Sequence, residues 1–173
     1  SQGSFRAPGE IRLNFVETIF AKLSSRSYAP LIEVHGQRLL PTTSDELLGL
    51  IHRVRTFLDD TGVKPGDRVA LLASNSVKWV ACDLAILASG AICVPLYSRQ
   101  DPKELAFIAS DCQPKLLIAS DDILANAVRR EWSGPLVTYD EVFRTAPRKL
   151  PLHSILSKDP VTIVYTSCTS GNP

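Results

Sequence analysis

The residues best suited to chemistry sit together near position 166. Thr166-Ser167-Cys168-Thr169-Ser170-Gly171 follows directly on the apolar run Val161-Thr-Ile-Val-Tyr165, with Asn172-Pro173 after it. A buried strand that opens into hydroxyls and glycine is a device for holding phosphate. Ser and Thr hydroxyls donate to phosphate oxygens, consecutive backbone N–H groups form an anion-binding nest, and Gly171 permits tight curvature. The same composition would serve a solvent-facing Ser/Thr turn, so on residue types alone both readings stand. Two other phosphate loops are excluded. No Gly-Lys-Ser/Thr follows a spaced glycine, and none of the nine glycines falls in Gly-x-Gly spacing.

Other chemistry-bearing residues are scattered. The cysteines at 82, 93, 112 and 168 form no Cys-x-x-Cys pair, and His35, His52 and His153 make no cluster with them. This argues against zinc and against a secreted disulfide framework. Cys82 and Cys93 read as small buried hydrophobes, and a reducing, cytoplasmic compartment is expected. Trp79 and Trp132 read as core aromatics on helices. Asp121-Asp122 reads as a helix N-cap pair rather than a cation site. Arg129-Arg130 and the stretch Arg144 to Lys149 read as solvated basic faces, with peripheral contact to membrane lipid as the alternative for the second. Glu33, His35 and His52 show no spacing that suggests a triad.

The elements that must position the loop are legible from periodicity. Asn14 with Glu17, and Thr43 with Glu46, are capping boxes opening two helices. The first carries Phe15, Val16, Ile19, Phe20 and Leu23 on one face; the second carries Leu47, Ile51, Val54 and Leu58 and ends near Gly62. Leu31–Val34 is a short strand ended by a turn at His35-Gly36, and Lys64-Pro-Gly-Asp67 is a turn by its chemistry. Arg68–Ala73, Ala91–Pro95 and Lys115–Ala119 are apolar runs of the kind buried on both sheet faces. Helices capped by Asn75 or Ser76, by Asp101 and by Asp121 alternate with them, the last reaching about Trp132. A weaker strand over 135–138, a helical turn over 141–143 and a strand over 161–165 complete the pattern. Strand–helix alternation with short turns predicts an α/β fold, a mainly parallel sheet with helices on both faces.

Composition narrows the partners. The chain has 173 residues, 45% hydrophobic and 21% charged, with a net charge of +1. So even a balance leaves no electrostatic footprint for nucleic acid. The longest apolar stretch, Leu84 to Tyr97, is broken by Ser89-Gly90 and Pro95, so no transmembrane segment is expected. Ser1-Gln2-Gly3-Ser4 has no signal-peptide character, and the chain contains no Met. It is therefore expected to be cut from something longer: one α/β domain over 1–173, with 1–10 a flexible or cloning-derived leader.

Asp159-Pro-Val-Thr-Ile-Val-Tyr-Thr-Ser-Cys-Thr-Ser-Gly-Asn-Pro173 resembles the phosphate-loop motif Tyr-Thr-Ser-Gly-Thr-Thr-Gly-x-Pro-Lys-Gly of the adenylate-forming superfamily. That group includes acyl-CoA synthetases, peptide-synthetase adenylation domains and luciferases. Gly62-Val-Lys-Pro-Gly-Asp-Arg-Val-Ala-Leu-Leu-Ala-Ser-Asn-Ser76 and the stretch from Trp79 to Tyr97 are similar to an earlier block of the same family. Asp159-Pro160, Asn172-Pro173 and Trp79 look most like long-chain fatty acyl-CoA synthetases.

The resemblance implies a two-step ligase using a fatty acid, Mg-ATP and CoA. It assigns Thr166, Ser167, Cys168, Thr169, Ser170 and Gly171 to the ATP phosphates, and the Thr166 hydroxyl also to Mg²⁺. The adenine pocket, acidic metal ligand, ribose-binding Asp and catalytic Lys of the family all lie downstream of the motif. No catalytic residue is therefore expected within these 173 residues, and the chain is expected to be inactive alone. Fatty acyl-AMP ligases and amino-acid adenylation domains are the alternatives within the superfamily; a non-catalytic module that forms a homodimer is the alternative outside it. Two positions depart from the motif: Cys168 stands where the family has Gly, and Ser170 where it usually has Thr. A Cβ in a left-handed backbone would cost roughly 1–2 kcal/mol, so Cys168 is expected to weaken the grip on ATP.

Overall fold

The computed structural model of the chain describes residues 14–156 and 158–166. Helix α1 (Phe15–Ser25) starts where expected: Asn14 Oδ1 accepts from Glu17 N at 2.9 Å and Glu17 Oε2 accepts from Asn14 N at 2.9 Å. Val16, Phe20 and Leu23 are buried, whereas Phe15 at the helix start faces solvent. Two strands follow, β1 (Leu31–His35) and β2 (Arg38–Thr42), paired antiparallel around a turn at Gly36 with φ +63°. The second was not expected. Its Pro41 and its lack of polar–apolar alternation hide a strand whose partner is β1, the only one among the described residues.

Helix α2 (Ser44–Asp60) opens on the Thr43–Glu46 capping box and buries all four expected residues, Leu47, Ile51, Val54 and Leu58. Strand β3 (Arg68–Leu72), helix α3 (Val77–Ala88), strand β4 (Ile92–Leu96), helix α4 (Pro102–Cys112) and strand β5 (Leu116–Ala119) follow in strict alternation. Ser76, not Asn75, caps α3; Asp101 caps α4, with Pro102 at its first position. Helix α5 (Asp122–Arg129) ends earlier than Trp132, before strand β6 (Leu136–Thr138) and helix α6 (Tyr139–Phe143).

The four strands of the second sheet run in the order β4-β3-β5-β6, all parallel. Alternate residues feed two cores. Val69, Leu71, Cys93 and Ile118 face α1, α2, α3 and α6; Ala70, Leu72, Val94 and Leu117 face α4 and α5. This is the expected parallel α/β fold with helices on both faces.

The expected strand over 161–165 is corrected to an isolated bridge between Cys93 and Thr162 on the outer edge of β4. Cys93 N donates to Val161 O and Ile163 N donates to Cys93 O, each at 2.9 Å, and the ladder goes no further. The reason lies in β4. Ile92 N points inward to Asp67 O and Cys93 N points outward, so alternation places residue 95 outward too. That residue is proline, which has no N–H to offer. Among the described residues no helix is long and apolar enough to cross a membrane.

Candidate functional site

Every helix that follows a strand of the parallel sheet starts at the sheet's carboxyl edge, so that edge collects caps and polar loop residues. Strand β3 exits into Ser74–Ser76, β4 into Tyr97–Gln100, and β5 into Ser120–Asp121. The exits of the adjacent strands β3 and β5 diverge, β3 into α3 on one face and β5 into α5 on the other. Such a divergence opens a crevice at the strand ends, where ligands bind in open α/β sheets. Loops are locked to one another here: the Ser74 and Ser98 hydroxyls lie 2.9 Å apart, and Ser120 N donates to Leu72 O at 3.0 Å.

A cleft of about 460 Å³ lies on this edge, walled by Trp79, Leu96, Tyr97, Ile108 and Tyr165 and carrying Asn75, Gln100 and Glu104 as polar groups. Apolar walls with a few polar groups are the usual make-up of a small-molecule site. Glu33, from the β1–β2 hairpin, reaches over to accept from Val77 N at 2.9 Å and so shares the α3 N-terminus with Ser76.

Of the residues proposed for the phosphates, Thr166 is exposed and leaves the cleft wall immediately after Tyr165. Ser167, Cys168, Thr169, Ser170 and Gly171 lie outside the described residues. What holds the approach to Thr166 is a tether: Tyr165 OH donates to Asp111 Oδ2 near the end of α4. Desolvation first, and the Asp111 carboxylate second, push the Tyr165 phenol up to about 12, so it remains a donor at neutral pH. No local pattern could reveal this contact, because its partners are 54 residues apart.

The remaining candidates fall into structural roles. Asp121 accepts from Leu124 N at 2.9 Å and from the Ser120 hydroxyl at 2.7 Å, which together hold its carboxyl below the usual range. Trp79 lines the cleft while packing on one core, and Trp132 packs on the other. Arg148 of the basic stretch pairs with Asp59 at 2.9 Å and Asp60 at 2.7 Å. His35 lies 3.7 Å from Glu33. Cys82 and Cys93 are fully buried, and desolvation pushes both thiols up, leaving them unreactive. Among the described residues no group of His, Cys, Asp and Glu could hold a metal ion.

A family model described as AMP-binding enzyme matches residues 39–173. The long-chain-fatty-acid–CoA ligase FadD15 of Mycobacterium bovis is 30% identical over 151 residues, covering 76% of this chain and 25% of its own length. FadD13 of Mycobacterium tuberculosis, likewise a long-chain-fatty-acid–CoA ligase, is 31% identical over 141 residues, covering 76% and 28%. Among solved structures, the N-terminal domain of FACL13 from Mycobacterium tuberculosis superposes with a TM-score of 0.75 at 26% identity, covering 90% of this chain and 42% of that one. The chain thus spans about a quarter of the length of the curated relatives it matches.

Proposed function

The chain belongs to the AMP-binding enzyme family, and from that premise we propose that it is the N-terminal part of an AMP-forming long-chain fatty acid–CoA ligase. In this reading the fatty carboxylate attacks the α-phosphorus of ATP, pyrophosphate leaves, and the thiol of CoA then displaces AMP from the acyl-adenylate. The observation that carries it is convergence. The motif-matched Thr166 follows Tyr165 out of the wall of the cleft at the carboxyl edge of the parallel sheet, the edge on which ligands of this architecture bind.

The work assigned to these residues is positioning and charge stabilisation, since phosphoryl-type chemistry asks little else of a protein. Thr166, Ser167, Thr169 and Ser170 offer hydroxyls, and the backbone through Cys168 and Gly171 offers N–H donors to the β- and γ-phosphates. The Thr166 hydroxyl is a hard oxygen donor, which fits Mg²⁺ held mainly by phosphate oxygens. When bound, the ion would neutralise charge on the leaving pyrophosphate. The Tyr165–Asp111 tether fixes where this loop begins. Residues 1–173 form a single α/β domain in this reading, and the reaction belongs to the longer protein. The three buried free thiols Cys82, Cys93 and Cys112 suit a reducing, cytoplasmic setting.

Acid-dependent exchange of labelled pyrophosphate into ATP tests the proposal in the longer protein. Exchange supported by long fatty acids, and absent from the 173-residue chain alone, is the expected result. Exchange with amino acids only would overturn the fatty-acid assignment. Within an active protein, Cys168→Gly is expected to lower the KM for ATP several-fold; an unchanged KM would remove any penalty at Cys168.

A further inference from the structure

The β1–β2 hairpin stands apart from the parallel sheet and turns an apolar face to solvent. Its register sets Ile32 opposite Pro41 and Val34 opposite Leu39, and residues opposite one another in an antiparallel pair share a face. Ile32, Val34 and Leu39 are 56%, 67% and 64% exposed, and Pro41 is exposed beside them. The other face is already occupied: Leu31 packs on the core and Glu33 accepts from Val77 N. No charged residue stands among the four outward ones, although charge on a free sheet is the usual guard against association.

The backbone is unfinished on the same hairpin. Gly36, at φ +63°, starts a two-residue turn between the paired His35 and Arg38, which is type II′ hairpin geometry. His35 and Arg38 are then a hydrogen-bonded pair, and by alternation Ile32 and Val34 turn their N–H and C=O groups away from β2. Among the described residues none of these groups has a hydrogen-bond partner, and no third strand joins the pair. The outer edge of β2 is blunted, because Pro41 has no N–H to offer there. The open edge belongs to β1.

Size and position decide what fits. Two strands of five residues present a face of roughly 17 by 10 Å. That falls far short of the roughly 800 Å² per side that a stable interface between separate molecules buries. A segment of the same polypeptide needs no such area, because covalent linkage gives it a high effective concentration. The chain spans only about a quarter of its curated relatives. Its described backbone leaves through Thr166 on the sheet edge where α3 begins, and the first N–H of α3 is the one that Glu33 accepts.

We propose that β1–β2 is an incomplete sheet, finished in the longer protein by polypeptide that follows residue 173. One strand of that segment adds along the outer edge of β1, and its apolar side chains cover Ile32, Val34, Leu39 and Pro41. Because Glu33 holds the start of α3 and Trp79 of α3 walls the cleft, the added segment also braces the cleft. The inference rests on the chain being part of a longer protein and not on the reaction that protein performs.

Amide hydrogen exchange in the 173-residue chain and in the longer protein tests it, with protected β3 and β5 amides marking the folded state in both. The Ile32 and Val34 amides should exchange roughly a hundredfold or more slowly in the longer protein than in the 173-residue chain. Within the longer protein alone, a thiol introduced by Val34→Cys should react with a maleimide roughly tenfold or more slowly than it does in urea, read peptide by peptide. Val34→Lys should lower the melting temperature of the longer protein by several degrees and leave that of the 173-residue chain unchanged. Equal exchange at Ile32 and Val34 in the two proteins would overturn the proposal, as would a Val34→Cys thiol that reacts as fast folded as unfolded. So would protection that appears in the 173-residue chain when its concentration is raised or phosphatidylglycerol vesicles are added, which would give the face to a second copy or to a lipid surface. Pyrophosphate exchange enters none of these readouts, so failure of the ligase reading and failure of this one are told apart.

Discussion

Residues 68–138 and residues 144–163 bring the chain into the same structure by opposite means. In the first, strand and helix alternate, and backbone groups are satisfied within helices or between neighbouring strands. In the second, the described residues run as an irregular strap across α2 and the end of α3, and α2's side chains supply the bonds. Arg53 donates to Thr145 O at 2.9 Å, Arg55 to Leu150 O at 2.7 Å and Pro151 O at 2.5 Å, and Thr56 Oγ1 accepts from Arg148 N at 2.8 Å. His153 N then donates to Ala88 O, and the strap reaches the outer edge of β4. Stability in the first region is spread over a core; in the second it is concentrated in a few side chains of one helix.

The contrast can be broken most directly by two substitutions. Leu71→Ala, at a residue with no exposed surface between the two layers, should cost about 3–5 kcal/mol in urea denaturation. Amide protection should then fall throughout the sheet together. Arg55→Met should cost less, about 2 kcal/mol, because it strips donors from three carbonyls while removing a buried charge. Its signature is local: protection lost at His153 and Ile163 while β3 and β5 keep theirs. If both substitutions loosen the whole sheet alike, the strap belongs to the core and the distinction fails.

The same contrast explains what could be read in the residues. Asn14 with Glu17, Thr43 with Glu46, and Asp101-Pro102 announced their helices because caps act within one turn. The buried strands were legible because both their faces are apolar. The tether from Tyr165 to Asp111 and the role of Arg55 were not, since each is defined by a partner distant in sequence; strand β2 was not either, because Pro41 and the lack of alternation mask it although its partner is the neighbouring β1. Likewise Val161–Tyr165 has a strand's composition, but its pairing depends on which edge of β4 Pro95 blocks. For the candidate site, residue types left the loop open between two readings and the resemblance to a family chose one, while the cleft beside Thr166 depends on how Tyr165 lies against the ends of β3 and β4.

A smaller effect sharpens the comparison from the core side. Asp121 caps α5, and Asp121→Ala should cost about 1 kcal/mol at neutral pH. Its folded carboxyl titrates below the unfolded value, held there by Leu124 N–H and the Ser120 hydroxyl. The contribution is therefore complete above the unfolded pKa and fades as pH falls through the folded one. Wild type and variant should converge in stability at low pH. A difference persisting below that range would assign the effect to something other than the ionised cap.

The smallest expected effect is the most specific to the strap. If Pro95 is what stops the outer ladder, Pro95→Val supplies an outward N–H opposite Ile163 O, and the bridge at Thr162 should lengthen into a strand. The gain of one hydrogen bond is offset by the freedom that valine restores to the unfolded chain, so global stability should change by no more than about 0.5 kcal/mol. The readout is local: a slowly exchanging amide at the substituted position and new backbone contacts between it and Ile163. An unprotected amide there in a folded variant would show that the strap's own side-chain moorings, rather than the missing donor, hold it off the sheet. Tyr165 would then be kept in place by Asp111 alone, and Tyr165→Phe should free the segment leading to Thr166.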